Sequence, residues 1–341
     1  MRIAITADPE LPVPPVLYGG IERIVDLLAR RLVELGHEVT VFAHADSSTA
    51  GRLVPWKGHS SGSLTDTLRN AALLAFEVSR SRFEIVHSFS RVAYLAAILP
   101  LPVPKLMTYQ REISLKTVRW GKALSGGSLH FSAVSRQMTQ AAKDAAFWHV
   151  VPNGVPLATY SFNLQPPPNA PLIFLGRIEE IKGPHLAIEI SQRTGVPLVI
   201  AGNIPGAHKG WYETHVAPHV DGRQIRYIGP VNDEQKNELL RQARALLMPI
   251  LWEEPFGIVM AEALTCGTPV IGLRRGAVPE VIEHGVTGFV CDDVGEMLAA
   301  VLRAESLDRS QCRLSAERNF SGDVMTERYL SVYRELTRSN R

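Results

Sequence analysis

Short apolar runs and stripes at helical spacing alternate along the whole chain. Arg2 to Ala7 is an apolar run of strand length. Ile21, Ile24, Val25, Leu28, Leu32 and Leu35 then recur with a helical period, with Glu22, Arg23, Asp26, Arg30 and Glu34 opposite. Gly36 fits a helix stop, and His37 to Ala43 reads as the next strand. Such a β-loop-α-β unit implies a parallel sheet with a right-handed crossover. A helix is predicted over Leu64 to Ser81, with strands at Glu84–Ser88, Lys105–Tyr109, Leu129–Val134 and His149–Val151. Residues 163–171, Asn-Leu-Gln-Pro-Pro-Pro-Asn-Ala-Pro, then read as a stiff, extended connector. Beyond it the pattern restarts: strand Leu172–Leu175, loop Gly176–Gly183, a helix to Thr194, strands Leu198–Ala201 and Ile225–Ile228, and a helix Asp233–Arg244. Strands alternating with helices on both sides of the connector predict two α/β domains of similar plan.

The length agrees, since 341 residues suit two domains of about 150 each. A hydrophobic content of 45% and 21% charged residues describe a globular chain with apolar cores. The net charge of +2 gives no support to a nucleic-acid partner. Cys266, Cys291 and Cys312 are far apart and form no C-x-x-C, so neither a zinc site nor a disulfide framework is suggested. The first residues lack the long apolar core of a signal peptide, and no apolar run approaches the ~20 residues of a membrane span. A cytoplasmic address is the expectation.

The chemistry concentrates in Leu251 to Gly272. Apolar Ala245 to Ile250 is predicted as a buried strand and Gly257 to Cys266 as the helix after it. The backbone N–H groups of Phe256, Gly257 and Ile258 begin that helix without intrahelical partners, and with the helix dipole they suit an anion or a row of hydroxyls. Glu254 stands just before the helix and Glu262 about a turn and a half inside it. That pairing suits a ligand with both phosphates and hydroxyls, although two solvated glutamates would look the same in isolation. Arg177 and Lys182 lie in the first loop of the second half, where they would complete an anion clamp if they faced this helix start. The Gly19-Gly20 loop lacks G-x-G-x-x-G, which argues against a dinucleotide site, yet paired glycines let a phosphate or sugar approach the backbone. His87 and Gln110 sit at the carboxyl ends of strands, where ligands of open parallel sheets bind, but a lone strand-end histidine is more often structural. Lys116, Arg119, Trp120 and Lys122 interleave charge with an aromatic ring. A solvated helix face explains them, with a weak membrane-surface contact as the second reading.

Taken in order, Tyr18-Gly19-Gly20-Ile21-Glu22, Gly36-His37-Glu38-Val39, Val134-Ser135, Pro152-Asn153-Gly154-Val155, Gly176-Arg177 with Lys182-Gly183, Glu254-Pro255-Phe256-Gly257 through Glu262-Ala263, Cys266-Gly267-Thr268-Pro269-Val270, and Pro279-Glu280 with Gly285-Val286-Thr287-Gly288 resemble the retaining glycosyltransferases of family 4. The resemblance covers essentially the whole chain. It implies the GT-B fold, two Rossmann-like parallel-sheet domains facing across a cleft. The expected parts are an acceptor-side domain over 1–163, a nucleotide-sugar-binding domain over 164–322, and a last helix over 323–341 that crosses back to the first. Val324, Tyr329, Val332, Tyr333 and Leu336 give that helix its apolar face.

The resemblance also implies a donor, a nucleoside diphosphate sugar of the UDP or GDP kind, and a hydroxyl acceptor of unstated identity. Arg177 and Lys182 would hold the diphosphate, and Glu262 would accept from the ribose hydroxyls. Glu254 with the amides of Phe256, Gly257 and Ile258 would grip the sugar and distal phosphate, and Gly19 and Gly20 would close over the diphosphate. No Asp-x-Asp occurs, so a metal-independent enzyme without cofactor is expected. One departure stands out: where the family usually has histidine, this chain has Gln110. An epimerase of the same fold, or a binding module that has lost activity, are the alternatives.

Overall fold

The computed structural model describes residues 1–16 and 19–338, so Tyr18 of the Tyr-Gly-Gly stretch lies outside the described residues. The chain forms two compact units, Met1–Gly154 together with the segment from Gly322 onward, and Val155–Ser321.

The first unit contains strands β1 (Arg2–Thr6), β2 (Glu38–Ala43), β3 (Arg52–Pro55), β4 (Ile85–Ser88), β5 (Lys105–Tyr109), β6 (Leu129–Ala133) and β7 (Trp148–Val150). They pair in the order β3-β2-β1-β4-β5-β6-β7, every pair parallel. Helices α1 (Gly20–Glu34), α2 (Leu64–Ser81) and α3 (Leu115–Leu124) cover the sheet together with a 3-10 segment at Val92–Ile98. The stripe read in α1 is buried at Ile24, Val25, Leu28 and Leu32, whereas Leu35 becomes the exposed C-cap. Glu22, on the polar side of that reading, is buried as well. One sheet face packs Phe42, Trp56, Leu74, Val86, Tyr94, Met107, Val118 and Phe131 into a single core. Full burial of each such side chain contributes about 1.5–3 kcal/mol.

The second unit contains β8 (Leu172–Leu175), β9 (Leu198–Ala201), β10 (Ile225–Tyr227), β11 (Ala245–Met248), β12 (Val270–Leu273) and β13 (Gly288–Cys291). Their order is β10-β9-β8-β11-β12-β13, again all parallel. Its longer helices are α4 (Pro184–Thr194), α5 (Lys209–His215), α6 (Asp233–Gln242), α7 (Ile258–Thr265), α8 (Val294–Arg303) and α9 (Arg309–Asn319). β8 pairs with β9 along all four residues but with β11 only at Leu172 and Ile173, so β8 and β11 part towards their carboxyl ends.

The units divide at Gly154/Val155, ahead of the expected 163/164, and the proline connector lies wholly inside the second unit. The reason is local bonding. Val155 N donates to Phe320 O at 2.7 Å, and Asn163 N donates to Cys266 O at 3.0 Å. The Asn163 side chain donates to Arg241 O at 2.9 Å, and the buried Arg309 guanidinium donates to Asn163 O at 2.8 Å.

The last helix, α10 (Gly322–Arg338), belongs to the first unit and packs on α1. Tyr329, Val332, Tyr333 and Leu336 are buried as read, but Met325 takes the buried position that Val324 was expected to fill. His87, fully buried at the end of β4, bonds Tyr333 Oη at 2.5 Å through Nδ1 and Thr108 Oγ1 at 2.6 Å through Nε2. Both ring nitrogens are therefore used, Nδ1 in holding α10 to the sheet and Nε2 in bonding the neighbouring strand β5, and His87 is structural.

Burial holds the His87 pKa well below its ordinary 6.5. The unfolded chain therefore takes up this proton first, and stability falls as pH drops below about 6.5. Calorimetric unfolding should show that fall, and His87→Gln should flatten it. Tyr333→Phe strips Nδ1 of its partner and should cost about 1–3 kcal/mol.

Candidate active site

In the second unit the winding reverses between β8 and β11, and ligands of open parallel sheets bind beyond the carboxyl ends of strands at such a point. The loop after β8 carries Arg177 and Lys182, and the loop after β11 carries Glu254. Lys182 closes a 3-10 turn, and Gly183 follows with φ 74°. A Cβ at Gly183 would sit 2.0 Å from Pro249 O, so only glycine lets this turn lie against the segment leaving β11. The close approach brings Lys182 Nζ to 2.5 Å from Glu254 Oε2. Trp252 Nε1 donates to the same oxygen at 2.9 Å, and its ring lies 4.5 Å from Nζ. The opposite side of the Glu254 backbone is fixed by Ala277 N, which donates to Glu254 O at 2.9 Å. Glu254 is buried, so its charge depends on that lysine.

Arg177 is placed differently from Lys182. Its guanidinium lies 2.8 Å from Glu179 Oε1, and the second Glu179 oxygen lies 3.5 Å from His208 Nε2. Phe256 is buried edge-on against Phe320 at 5.7 Å. Gly257, at φ 73°, is the residue before α7 and gives no side-chain cap; Met260 N donates to its carbonyl at 2.9 Å, which leaves the amides ahead of Met260 to other acceptors. Ile258 is the first residue of α7, and Glu262 stands further along it, buried. Glu262 Oε1 accepts from Tyr160 Oη at 2.6 Å and from Lys236 Nζ at 2.5 Å. That ammonium also lies 5.4 Å from the centre of the Tyr160 ring.

The remaining candidates lie in the first unit. Gly19, at φ 149°, is the residue before α1, which Gly20 begins without a side-chain cap. Behind them Glu22 is buried, and burial, with the nearby Asp8 charge adding, raises its pKa. Gln110 and Asn153 exchange two side-chain amide hydrogen bonds of 2.8 Å each. The glutamine thus has a built partner in the Pro-Asn-Gly motif. Next to it Arg111 reaches Asp8 Oδ2 at 3.2 Å, while Asp8 Oδ1 is buried with no hydrogen-bond partner among the described residues, and burial raises that carboxyl's pKa.

Of the residues singled out in the sequence, the structure brings Lys182 and Glu254 into contact, with Glu254 four residues ahead of α7, and keeps Arg177 in the same loop as Lys182. Sequence reasoning missed Glu179, Trp252, Lys236 and Tyr160. Trp252 adjoins the motif and was within reach of it. Lys236 looks like an ordinary exposed first-turn residue, and Tyr160 lay on the wrong side of the expected boundary. No pattern singles out either one.

Two family models match the chain in succession: Glycosyltransferase Family 4 over residues 18–159 and Glycosyl transferases group 1 over residues 161–318. Spore coat protein SA of Bacillus subtilis is 25% identical, the match covering 98% of this chain and 99% of that protein. The D-inositol 3-phosphate glycosyltransferase of Xylanimonas cellulosilytica is 26% identical over 94% of this chain and 92% of its own length. In structure, the Anabaena protein Alr3699/HepE, solved in complex with UDP and glucose, aligns with a TM-score of 0.76 over 98% of this chain and 100% of its own, at 16% identity, a likeness of fold. With paired parallel-sheet units, both halves matched and relatives aligned along nearly the full length, the chain belongs to glycosyltransferase family 4 of the GT-B fold and is a glycosyltransferase.

Proposed function

We propose that the enzyme transfers a sugar, with retention of configuration, from a nucleoside diphosphate sugar to a hydroxyl acceptor, without a metal ion. The observation that carries this reading is the Lys182–Glu254 pair at the β8/β11 crevice, beside the uncapped start of α7. Lys182, Arg177 and the first-turn amides of α7 are the donors a departing diphosphate needs, and such preorganised donors supply most of the stabilisation in charge-developing reactions. Glu254, buried and fixed on one oxygen by Lys182 and Trp252, is the acceptor for sugar hydroxyls. Glu262, fixed on Oε1, offers its remaining lone pairs to the ribose. The complex of the Anabaena relative with UDP and glucose supports a donor of this class.

In the reaction the acceptor oxygen bonds to the anomeric carbon as the bond to the phosphate oxygen breaks on the same face. The leaving oxygen takes the acceptor's proton. This route needs no side-chain base, in keeping with a glutamine at position 110: an amide donates and accepts hydrogen bonds but neither takes up nor releases a proton at neutral pH. A cytoplasmic enzyme with a weak membrane-surface contact completes the reading.

Arg177→Ala and Lys182→Ala should each cost about 2–4 kcal/mol of transition-state stabilisation, read as kcat/KM. Lys182→Ala also leaves Glu254 buried without its cation, so the melting temperature must be followed and Lys182→Ala/Glu254→Gln compared. Turnover of both single variants at the wild-type rate would overturn the clamp. Chelator should leave activity intact, and its loss would restore a metal mechanism.

Gln110→Ala should slow transfer roughly 10- to 100-fold, as one or two lost hydrogen bonds would. Glu254→Ala should slow it more. If Gln110 works through its amide pair, Asn153→Ala will match Gln110→Ala. A Gln110→Ala loss far exceeding that of Glu254→Ala would show that Gln110 takes part in the chemistry itself.

A further inference from the structure

In the first unit α2, the 3-10 segment Val92–Ile98 and α3 cover the same sheet face, since Leu74, Val78, Val92, Leu95 and Val118 share one core. The outer side of this layer is unusually apolar. Along α2, Leu64, Leu68 and Phe76 are 74%, 62% and 53% exposed, at spacings of four and eight residues that put them in one row with the exposed Ala72. On α3 Leu115, Trp120 and Leu124 are exposed, and beyond β6 Phe147 is 76% exposed. Lys122 Nζ reaches Ala145 O at 3.4 Å, which ties α3 to the segment carrying Phe147. Exposed apolar side chains grouped in this way and rimmed by polar residues mark an interaction site.

Cations frame these side chains. Arg69 and Arg80 lie on α2, Lys116, Arg119 and Lys122 on α3, and Lys143 ahead of Phe147, all exposed. Arg80 lies 5.0 Å over the Phe76 ring. The acidic residues of the same segments answer few of them. Asp66 meets Arg69 at 3.4 Å and accepts backbone N–H bonds, and Glu77 is buried and paired with Arg52 at 2.8 Å, which leaves Asp144. A face with this excess of positive charge repels a second copy of itself, whereas an anionic bilayer complements it. Apolar side chains with an aromatic ring, rimmed by lysine and arginine, match the headgroup boundary of a membrane. No helix among the described residues is long and apolar enough to cross one.

We propose that the α2–α3 face of the first unit is a docking surface for an anionic lipid bilayer, with Leu64, Leu68, Phe76, Trp120 and Phe147 entering the headgroup boundary and Lys116, Arg119 and Lys122 meeting the lipid charges. The proposal gives residues and a lipid charge to the membrane contact of the proposed function, and rests on that reading. It does not depend on the transfer chemistry. Each basic residue near such a surface adds about five-fold to partitioning, so the three on α3 account for about 100-fold.

The test is co-sedimentation of the purified protein with vesicles of pure phosphatidylcholine and of phosphatidylcholine mixed with phosphatidylglycerol. The protein should pellet with the mixed vesicles alone and be released by high salt. Lys116→Glu/Arg119→Glu/Lys122→Glu should lower binding by about 100-fold or more, and Leu64→Ser/Leu68→Ser/Phe76→Ser should lower it without changing its salt dependence. Tryptophan emission should shift to the blue on binding, and Trp120→Phe should remove the shift. Slow hydrolysis of donor in solution should be the same in all variants, which shows folding and tests the transferase reading apart from the membrane. Failure to pellet with anionic vesicles, or binding untouched by both sets of substitutions, overturns the proposal. A dimer in light scattering that the α2 variant dissociates would likewise overturn it, by making the apolar row a subunit contact.

Discussion

Parallel pairing of every strand in both sheets forces all the carboxyl ends of a sheet to one edge, and the active-site geometry depends on that constraint. In the second unit the constraint is sharpened by how little β8 and β11 share. They are registered only at Leu172–Ala245 and Ile173–Leu246, while β11 and β12 pair over three positions and β12 and β13 over four. The chain leaves β8 and β11 already diverging, so the two loops that carry Arg177, Lys182 and Glu254 border a crevice. Gly183 then permits a tight approach across it, and in that arrangement the lysine meets the glutamate.

Within that crevice each charge is held beside an opposite one. Lys182 is paired with Glu254, Arg177 with Glu179 and Lys236 with Glu262. Withdrawing a lone carboxylate from water would cost several kcal/mol, and each pairing offsets that penalty. The arrangement also fixes side chains that would otherwise sample many rotamers, so an incoming ligand meets them already oriented. Any anion approaching Lys182 must share it with Glu254, whereas the start of α7 carries no side-chain cap, and such a helix start attracts anions.

The fold was highly legible because its signals are local. The 15-residue stripe of α1, the glycine stops and the four-residue apolar runs β8 and β9 each announce themselves within one window. What escaped is non-local or weakly patterned. β3, Arg-Leu-Val-Pro, is a short edge strand too polar to read alone, and it forms by pairing with β2. The domain boundary followed the most rigid stretch of sequence, yet a stiff segment need not be a linker: Asn163 is bonded into the second unit through its backbone and its side chain. In the site, residues inside the motifs were visible. Tyr160 and Lys236 act on Glu262 from 102 and 26 residues away and carry no spacing that could betray them.

The second unit begins and ends at neighbouring points, where Val155 and Ser321 form a parallel bridge and Val155 N meets Phe320 O. Topologically it is an insertion within the first unit, whose sheet comes from residues before Val155 and whose last helix comes from residues after Ser321. During synthesis, then, the order of completion is inverted. The seven-stranded sheet emerges first but lacks α10, leaving the His87 surface uncovered, while the second unit is contiguous and can close as soon as it clears the ribosome. The half made first is the half finished last.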